Sequence, residues 1–165
     1  MRMRAICVAA LGMGAAIVLT SPQLSAAQGA QPFAGLAGSW SGSGTIAMKN
    51  GSNERLRCRA KYSTPPSGDG LHQELLCASD SYKFNVNSNV VVDSNGSIDG
   101  TWTETSRNVT GQVSGHVANG VIRTTVQAPS FTADLLLEIR GNAQNVSITP
   151  SGVDVKQVSI TLHRS

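Results

Sequence analysis

Apolar and polar residues alternate along residues 90–126, and two Asn-Gly pairs interrupt this alternation, Asn95-Gly96 and Asn119-Gly120. A period of two residues is typical of a β-strand that buries one face. Asn-Gly between two such runs is the strongest short signal for a β-hairpin, because both central positions of a type I′ turn need positive φ. With one further turn between the two pairs, this stretch predicts an antiparallel meander of four strands.

The same strand-and-turn pattern continues through the rest of the chain, and no window after residue 27 keeps a helical period. About eight to ten strands spaced by about 8–12 residues predict an all-β domain. We favour a single antiparallel up-and-down β-barrel, because nearly every connection is short enough for a hairpin. A β-sandwich is the alternative. Gly111 and Gly115 share a face with valines, which predicts sharp coiling or a close approach of neighbouring backbones.

Residues 1–27 have the features of an export signal. Arg2 and Arg4 precede a short apolar run, and small residues before Gln28 suit a cleavage site. The run is shorter than the about 20 residues of a membrane-spanning helix, so we expect no transmembrane segment after cleavage. These features predict a periplasmic or secreted protein with a signal peptide over 1–27, a flexible lead-in over 28–37 and a β-barrel domain over 38–165.

Two cysteines follow the signal segment, Cys58 and Cys77. In an exported protein such a pair is more typical of a disulfide than of a metal or redox site. If Cys58 lies directly opposite Cys77 on antiparallel strands, Lys61 lies opposite Glu74. The cysteines and the charges therefore predict the same register.

The charge of the chain is close to balanced once the signal is set aside. Cleavage removes two of the 13 Lys and Arg residues, against 10 Asp and Glu. Nothing in this balance calls for a nucleic acid or an anionic membrane as partner.

Four cations nevertheless alternate with apolar residues along one predicted strand: Arg55, Arg57, Arg59 and Lys61. We call them the cationic row. It is a candidate anion-binding face for an anionic polysaccharide, lipopolysaccharide phosphates or an acidic protein patch. Alternatively, it is a solvated face that uses Glu74 as partner and discourages edge pairing. Few aromatic residues interleave the row, so single-stranded nucleic acid is not an expected partner.

The residue types that carry catalysis are scattered. His72, His116 and His163 lie opposite the apolar set without ligand spacing, so we expect neither a metal nor another cofactor. No nucleophile elbow is present, and we expect no catalytic residues and no enzymatic activity. Glu104 shares the parity of Trp102 and is predicted to point inward, as a ligand-binding group or an acid of raised pKa. The alternative places Glu104 in solvent at the rim.

The segment Gly38-Ser39-Trp40 resembles the Gly-x-Trp signature of the calycin barrels, the superfamily of lipocalins and avidins. This resemblance implies that Trp40 plugs one end of the barrel and that a basic residue of the last strand, Arg164, packs over it. A guanidinium over an indole is a favourable cation–π contact. The overall pattern is also similar to small exported alphaproteobacterial proteins of uncharacterised function.

Three functions remain open from these patterns. The first is a barrel that holds a small apolar or amphipathic ligand. The second is a protein-interaction module, such as an inhibitor of an exported protease, similar to bacterial inhibitors that insert an N-terminal segment, here 28–36. The third is a structural, envelope-associated protein. The candidate ligand-lining or core residues are Trp40, Tyr82, Phe84, Trp102 and Phe131, with Glu104.

Overall fold

The computed structural model describes residues 31–165, so the predicted signal peptide lies outside the described residues. Within that range no helix has the length and apolar character needed to cross a membrane. Ten strands follow in order: β1 Gly38–Met48, β2 Asn53–Ser63, β3 Gly70–Ala78, β4 Lys83–Val92, β5 Ser97–Glu104, β6 Val109–Ala118, β7 Val121–Gln127, β8 Thr132–Arg140, β9 Ala143–Ser151 and β10 Val155–Arg164.

All ten strands are antiparallel and form one closed barrel. Each strand pairs with its neighbours in sequence, and β1 pairs with β10 to complete the ring. This confirms the up-and-down barrel and excludes the sandwich. We call the end where β1 begins and β10 finishes the closed end, and the opposite end the far end.

The alternation of side chains sorts the barrel into an interior and an outer face. On β2 the inward residues are buried, whereas the cationic row between them is exposed. Interior glycines bring strands together, as predicted. A Cβ added at Gly115 would collide with the carbonyl oxygen of Arg123 on β7, and one at Gly42 with the carbonyl oxygen of Thr161 on β10.

The two Asn-Gly hairpins differ in detail. Asn119 and Gly120 have φ of 52° and 75°, as a type I′ turn requires. At the other hairpin only Gly96 has positive φ, so a type I′ turn is wrong there. The reason is Asp93, whose Oδ1 accepts hydrogen bonds from the backbone N–H groups of Asn95 and Ser97, both at 2.8 Å. A side chain that bonds to its own turn competes with the two-residue hairpin.

The predicted disulfide is present. Cys58 and Cys77 face each other across β2 and β3 with their Cα atoms 4.1 Å apart, and each is 2% exposed. Lys61 is paired with Glu74 in the same ladder, so the predicted register is confirmed. A buried disulfide is compatible with an exported protein.

The described part of the predicted lead-in packs against the barrel. Residues 32–36 form turns ahead of β1, and the side chains of Phe33 and Leu36 are completely buried at the closed end. Two fully buried apolar side chains stabilise the segment against the barrel, because each gains roughly 1.5–3 kcal/mol from burial. Alternation does not reveal such a contact, since these residues belong to no strand.

Candidate functional site

The closed end is plugged by Trp40. Its side chain is 1% exposed, and its Nε1 donates a hydrogen bond to the carbonyl oxygen of Leu36 at 2.7 Å. The Arg164 Cζ lies 4.5 Å from the centre of the indole ring. The same guanidinium donates to the carbonyl oxygens of Ala37 and Gly35 at 2.5 and 2.6 Å. Trp40 is therefore a structural plug, arranged as the calycin resemblance implies.

A polar pair lies just inside this plug. The Tyr62 hydroxyl on β2 donates to Oε1 of Gln144 on β9 at 3.0 Å, across two intervening strands. Gln144 is completely buried, and its Nε2 has no hydrogen-bond partner among the described residues. Burial raises the pKa of Tyr62, so its hydroxyl stays protonated and remains a donor. Sequence reasoning missed this pair, although the inward parity of Gln144 would have signalled it.

Several inward side chains in the middle of the barrel are only partly buried. Leu135, Ile148 and Val158 form a row of inward-facing partners on β8, β9 and β10, and all three are partly exposed. They lie three residues, about 10 Å along the strand, inside the far end. Toward the closed end, the next inward residue of β9 is Val146, which is also partly exposed. Gln144, the inward residue after it, is completely buried.

Because the outer surface belongs to residues of the opposite parity, solvent reaches these side chains from within the barrel. An eight-stranded barrel is just filled by its side chains, and ten strands enclose a wider interior. We call the space that the inward side chains enclose, down to the Gln144 layer and the Trp40 plug, the lumen.

Aromatic side chains gather at the far end of the lumen. Tyr82 and Phe84 stack with their ring centres 6.1 Å apart, and Trp102 and Phe131 meet at 5.7 Å. The indole of Trp102 crosses β6 over Gly111, where an added Cβ would approach Nε1 to 2.5 Å. The structure therefore separates the five predicted aromatic residues into the closed-end plug and these two far-end pairs.

Glu104 is a structural carboxylate at the far end. It is 6% exposed, and its two oxygens accept hydrogen bonds from the backbone N–H groups of Asn85, Ser106 and Arg107 at 3.0, 3.3 and 2.7 Å. Arg107 Nη1 lies 3.6 Å from Oε2. Burial alone would raise the pKa of Glu104, but these donors hold the pKa below its ordinary value. Glu104 is therefore neither an acid of raised pKa nor a solvated residue at the rim, which were the two alternatives left open by its position in the sequence.

The histidines are not brought together. His72 contacts Asn89 and Glu74 on the outer face, at 2.8 and 3.5 Å. His116 and His163 lie on other strands, β6 and β10. Across residues 31–165 no group of three His, Cys, Asp or Glu side chains is placed to hold a metal ion.

No known family of protein sequences matches this chain, and no curated protein matches it in sequence. Solved structures, however, share its fold. The crystal structure of Rv2717c from M. tuberculosis matches with a TM-score of 0.66 at 17% identity, over 82% of this chain and 96% of that one. The S-type phycobiliprotein lyase CPES from Guillardia theta matches with a TM-score of 0.61 at 11% identity, over 87% of this chain and 98% of that one. These similarities show that the chain shares its closed antiparallel barrel fold with both proteins.

Proposed function

We propose that this protein is an exported binding protein, periplasmic or secreted, that holds a small apolar or amphipathic molecule in its lumen. The observation that carries the proposal is the partly exposed row of Leu135, Ile148 and Val158 inside a closed ring. When a ligand covers apolar side chains that are exposed to water inside a barrel, the free energy of binding gains about 25 cal/mol for each Å² of apolar surface removed from water.

The side chains that line the lumen determine which kind of ligand it can hold. The inward residues around the lumen are mostly apolar, with Ser88, Thr124 and Gln144 as buried polar exceptions, and the carboxylate of Glu104 is already satisfied by backbone donors. A charged group inside would lose its hydration without finding a counter-ion, which costs several kcal/mol. The ligand therefore places an apolar body in the lumen and any charged group at the far end, beside the aromatic pairs.

The shared fold with a phycobiliprotein lyase is in keeping with a barrel that accommodates a small molecule, although at 11% identity it bears on the fold alone. The alternative of a protease inhibitor is not favoured. The segment that would enter an enzyme cleft has Phe33 and Leu36 buried against its own barrel.

The first test is native mass spectrometry on protein purified from its own compartment. A bound mass of a few hundred daltons that is lost on denaturation supports the proposal. In parallel, the neutral dye N-phenyl-1-naphthylamine is titrated into ligand-free protein. We expect saturable binding with a fluorescence gain, because the dye enters an apolar environment.

Two matched substitutions locate the dye. Val146→Phe fills the lumen, whereas Val91→Phe adds the same ring on the outer face, where Val91 is 62% exposed. We expect the first to weaken dye binding at least about tenfold, equal to about 1.4 kcal/mol, and the second to leave it unchanged. Urea unfolding checks that both variants fold, since overpacking costs about 1–3 kcal/mol. Equal binding by both variants, or no saturable binding by the native protein, would reject the proposal.

A further inference from the structure

Protection of a free sheet edge, one of the two structural explanations for the cationic row, does not apply to this barrel. Charges on a strand protect a free sheet edge. In this barrel β2 is hydrogen-bonded on both sides, to β1 and to β3, so it has no free edge. Edge protection therefore does not account for four exposed cations on one strand.

The row also lacks the expected internal partner. Glu74 is paired with Lys61 in the ladder, but its Oε1 lies 3.5 Å from Nε2 of His72. Between residues 31 and 165, the ion pairs of the structure include none of the row's four cations. Glu54, the acid nearest in sequence, accepts hydrogen bonds from Ser79 and Ser81 at the far end. The cations are thus available to a partner.

On the β1 side of the row the surface is polar and free of acids. β1, which adjoins β2, presents hydroxyl groups at Ser39, Ser41, Ser43 and Thr45, and the next strands continue this surface. None of β1, β9 and β10 contains Asp or Glu. Outward hydroxyl and amide groups on these two further strands are those of Asn145, Ser147, Gln157, Ser159 and Thr161.

A shallow groove of about 600 Å³ crosses the row at Arg59 and Lys61, from the serines of β1 to the amides of Asn85 and Asn87 on β4. Its wall also includes Leu76 and one acid, Glu74, whose carboxylate contacts His72. Along the strand, successive cations are about 7 Å apart, so the row places four charges in a line of about 20 Å. This is an elongated site, suited to a chain with repeated charges.

We propose that this face binds a linear acidic polysaccharide. The row would pair with the carboxylates of the polymer, and the hydroxyl and amide groups beside it would hydrogen-bond the sugar hydroxyls. Single-stranded nucleic acid fits less well, because no exposed aromatic residue interleaves the row to stack bases. A membrane surface also fits less well. Among the described residues the large exposed apolar side chains are two, Leu76 opposite Arg59 and Val91 on β4, which is little apolar surface for insertion into a membrane.

The experiment measures binding of the full protein to polygalacturonate, with neutral dextran as the uncharged control. A variant in which all four residues of the row are replaced by Gln is expected to bind at least about tenfold more weakly, equal to about 1.4 kcal/mol. The matched control replaces four exposed cations elsewhere by Gln, namely Lys49, Arg123, Arg140 and Lys156. This control has the same net charge as the test variant and is expected to bind within about twofold of the native protein, because surface charges more than about 10 Å apart are screened at 0.1 M salt.

Three results would overturn the proposal. One is the absence of polygalacturonate binding at 50 mM salt, and another is an equal loss in the two variants, which would reduce the effect to net charge. The third is tighter binding to a thymidine oligonucleotide or to phosphatidylglycerol vesicles than to polygalacturonate. All substituted residues are exposed, so both variants are expected to unfold in urea as the native protein does. Dye binding in the lumen provides a separate readout that neither variant should change.

Discussion

Replacing Trp40 by Ala tests the plug at the closed end. A tryptophan of this burial removes about 200 Å² from water, which at about 25 cal/mol per Å² sets an upper estimate near 5 kcal/mol. The range for aromatic-to-alanine changes in cores is about 3–5 kcal/mol. We therefore expect the free energy of unfolding to fall by about 3–5 kcal/mol.

The assay is equilibrium unfolding in urea at neutral pH, followed by tryptophan fluorescence. Trp102 is the only other tryptophan of the chain, so it reports on the variant as well. A loss below about 1 kcal/mol would refute the plug, because it would mean that the closed end is stabilised without the indole.

A milder substitution keeps this test informative if the alanine variant does not fold. Trp40→Phe retains most of the apolar area but removes the Nε1 donor, which leaves the carbonyl oxygen of the buried Leu36 without that partner. An unsatisfied buried acceptor costs about 1–3 kcal/mol, and a loss in that range is expected. Arg164→Gln removes the cation over the ring at an exposed site, and we expect a smaller loss of about 0.5–1 kcal/mol.

Two further predictions concern the disulfide and Glu104. Replacing Cys58 and Cys77 together by Ala should lower the free energy of unfolding by about 3 kcal/mol in urea, because their bond closes a loop of 19 residues in the unfolded chain; a loss under about 1 kcal/mol would contradict this account. The pKa of Glu104 is lower in the folded protein than in the unfolded chain, where it is about 4.3. The ionised carboxylate therefore stabilises the native state above the unfolded pKa, and this contribution is lost as the pH falls through the folded pKa. Urea unfolding from pH 3 to pH 7 should show Glu104→Gln less stable than the native protein above about pH 5, with the gap closing in acid; a gap that widens in acid would contradict the lowered pKa.

Much of the fold was predictable because its signals are local. Alternation assigns inward and outward residues within each strand, and the Asn-Gly pairs mark the ends of strands. The Cys58 and Cys77 pairing fixed one register, and Lys61 and Glu74 follow from it. The Gly-x-Trp resemblance predicted the closure, since Arg164 meets Trp40 only if the first and last strands are neighbours.

The candidate site was less predictable, because the alternation of apolar and polar residues along a strand does not indicate which side chains from other strands and turns come into contact. Lys61 faces Glu74 as predicted, yet Glu74 contacts His72 instead, since side-chain rotamers decide which charge is reached. Glu104 points inward as its parity requires, and only the turn that follows β5 supplies the amides that hold it ionised. Leu36 shows no strand pattern and is buried all the same.

The sequence by itself determined the strands, their faces, their order and the cysteine pair, because each depends on the period-two backbone and on turn residues a few positions apart. The tertiary structure decided what the interior contains. Tyr62 reaches Gln144 because ring closure brings β2 and β9, which are distant in sequence, within three places of each other around the barrel. The stagger of ten strands then leaves Leu135, Ile148 and Val158 partly exposed above that layer. Whether a barrel is filled or hollow depends on the sum of side-chain volumes across the whole ring, which no single strand encodes.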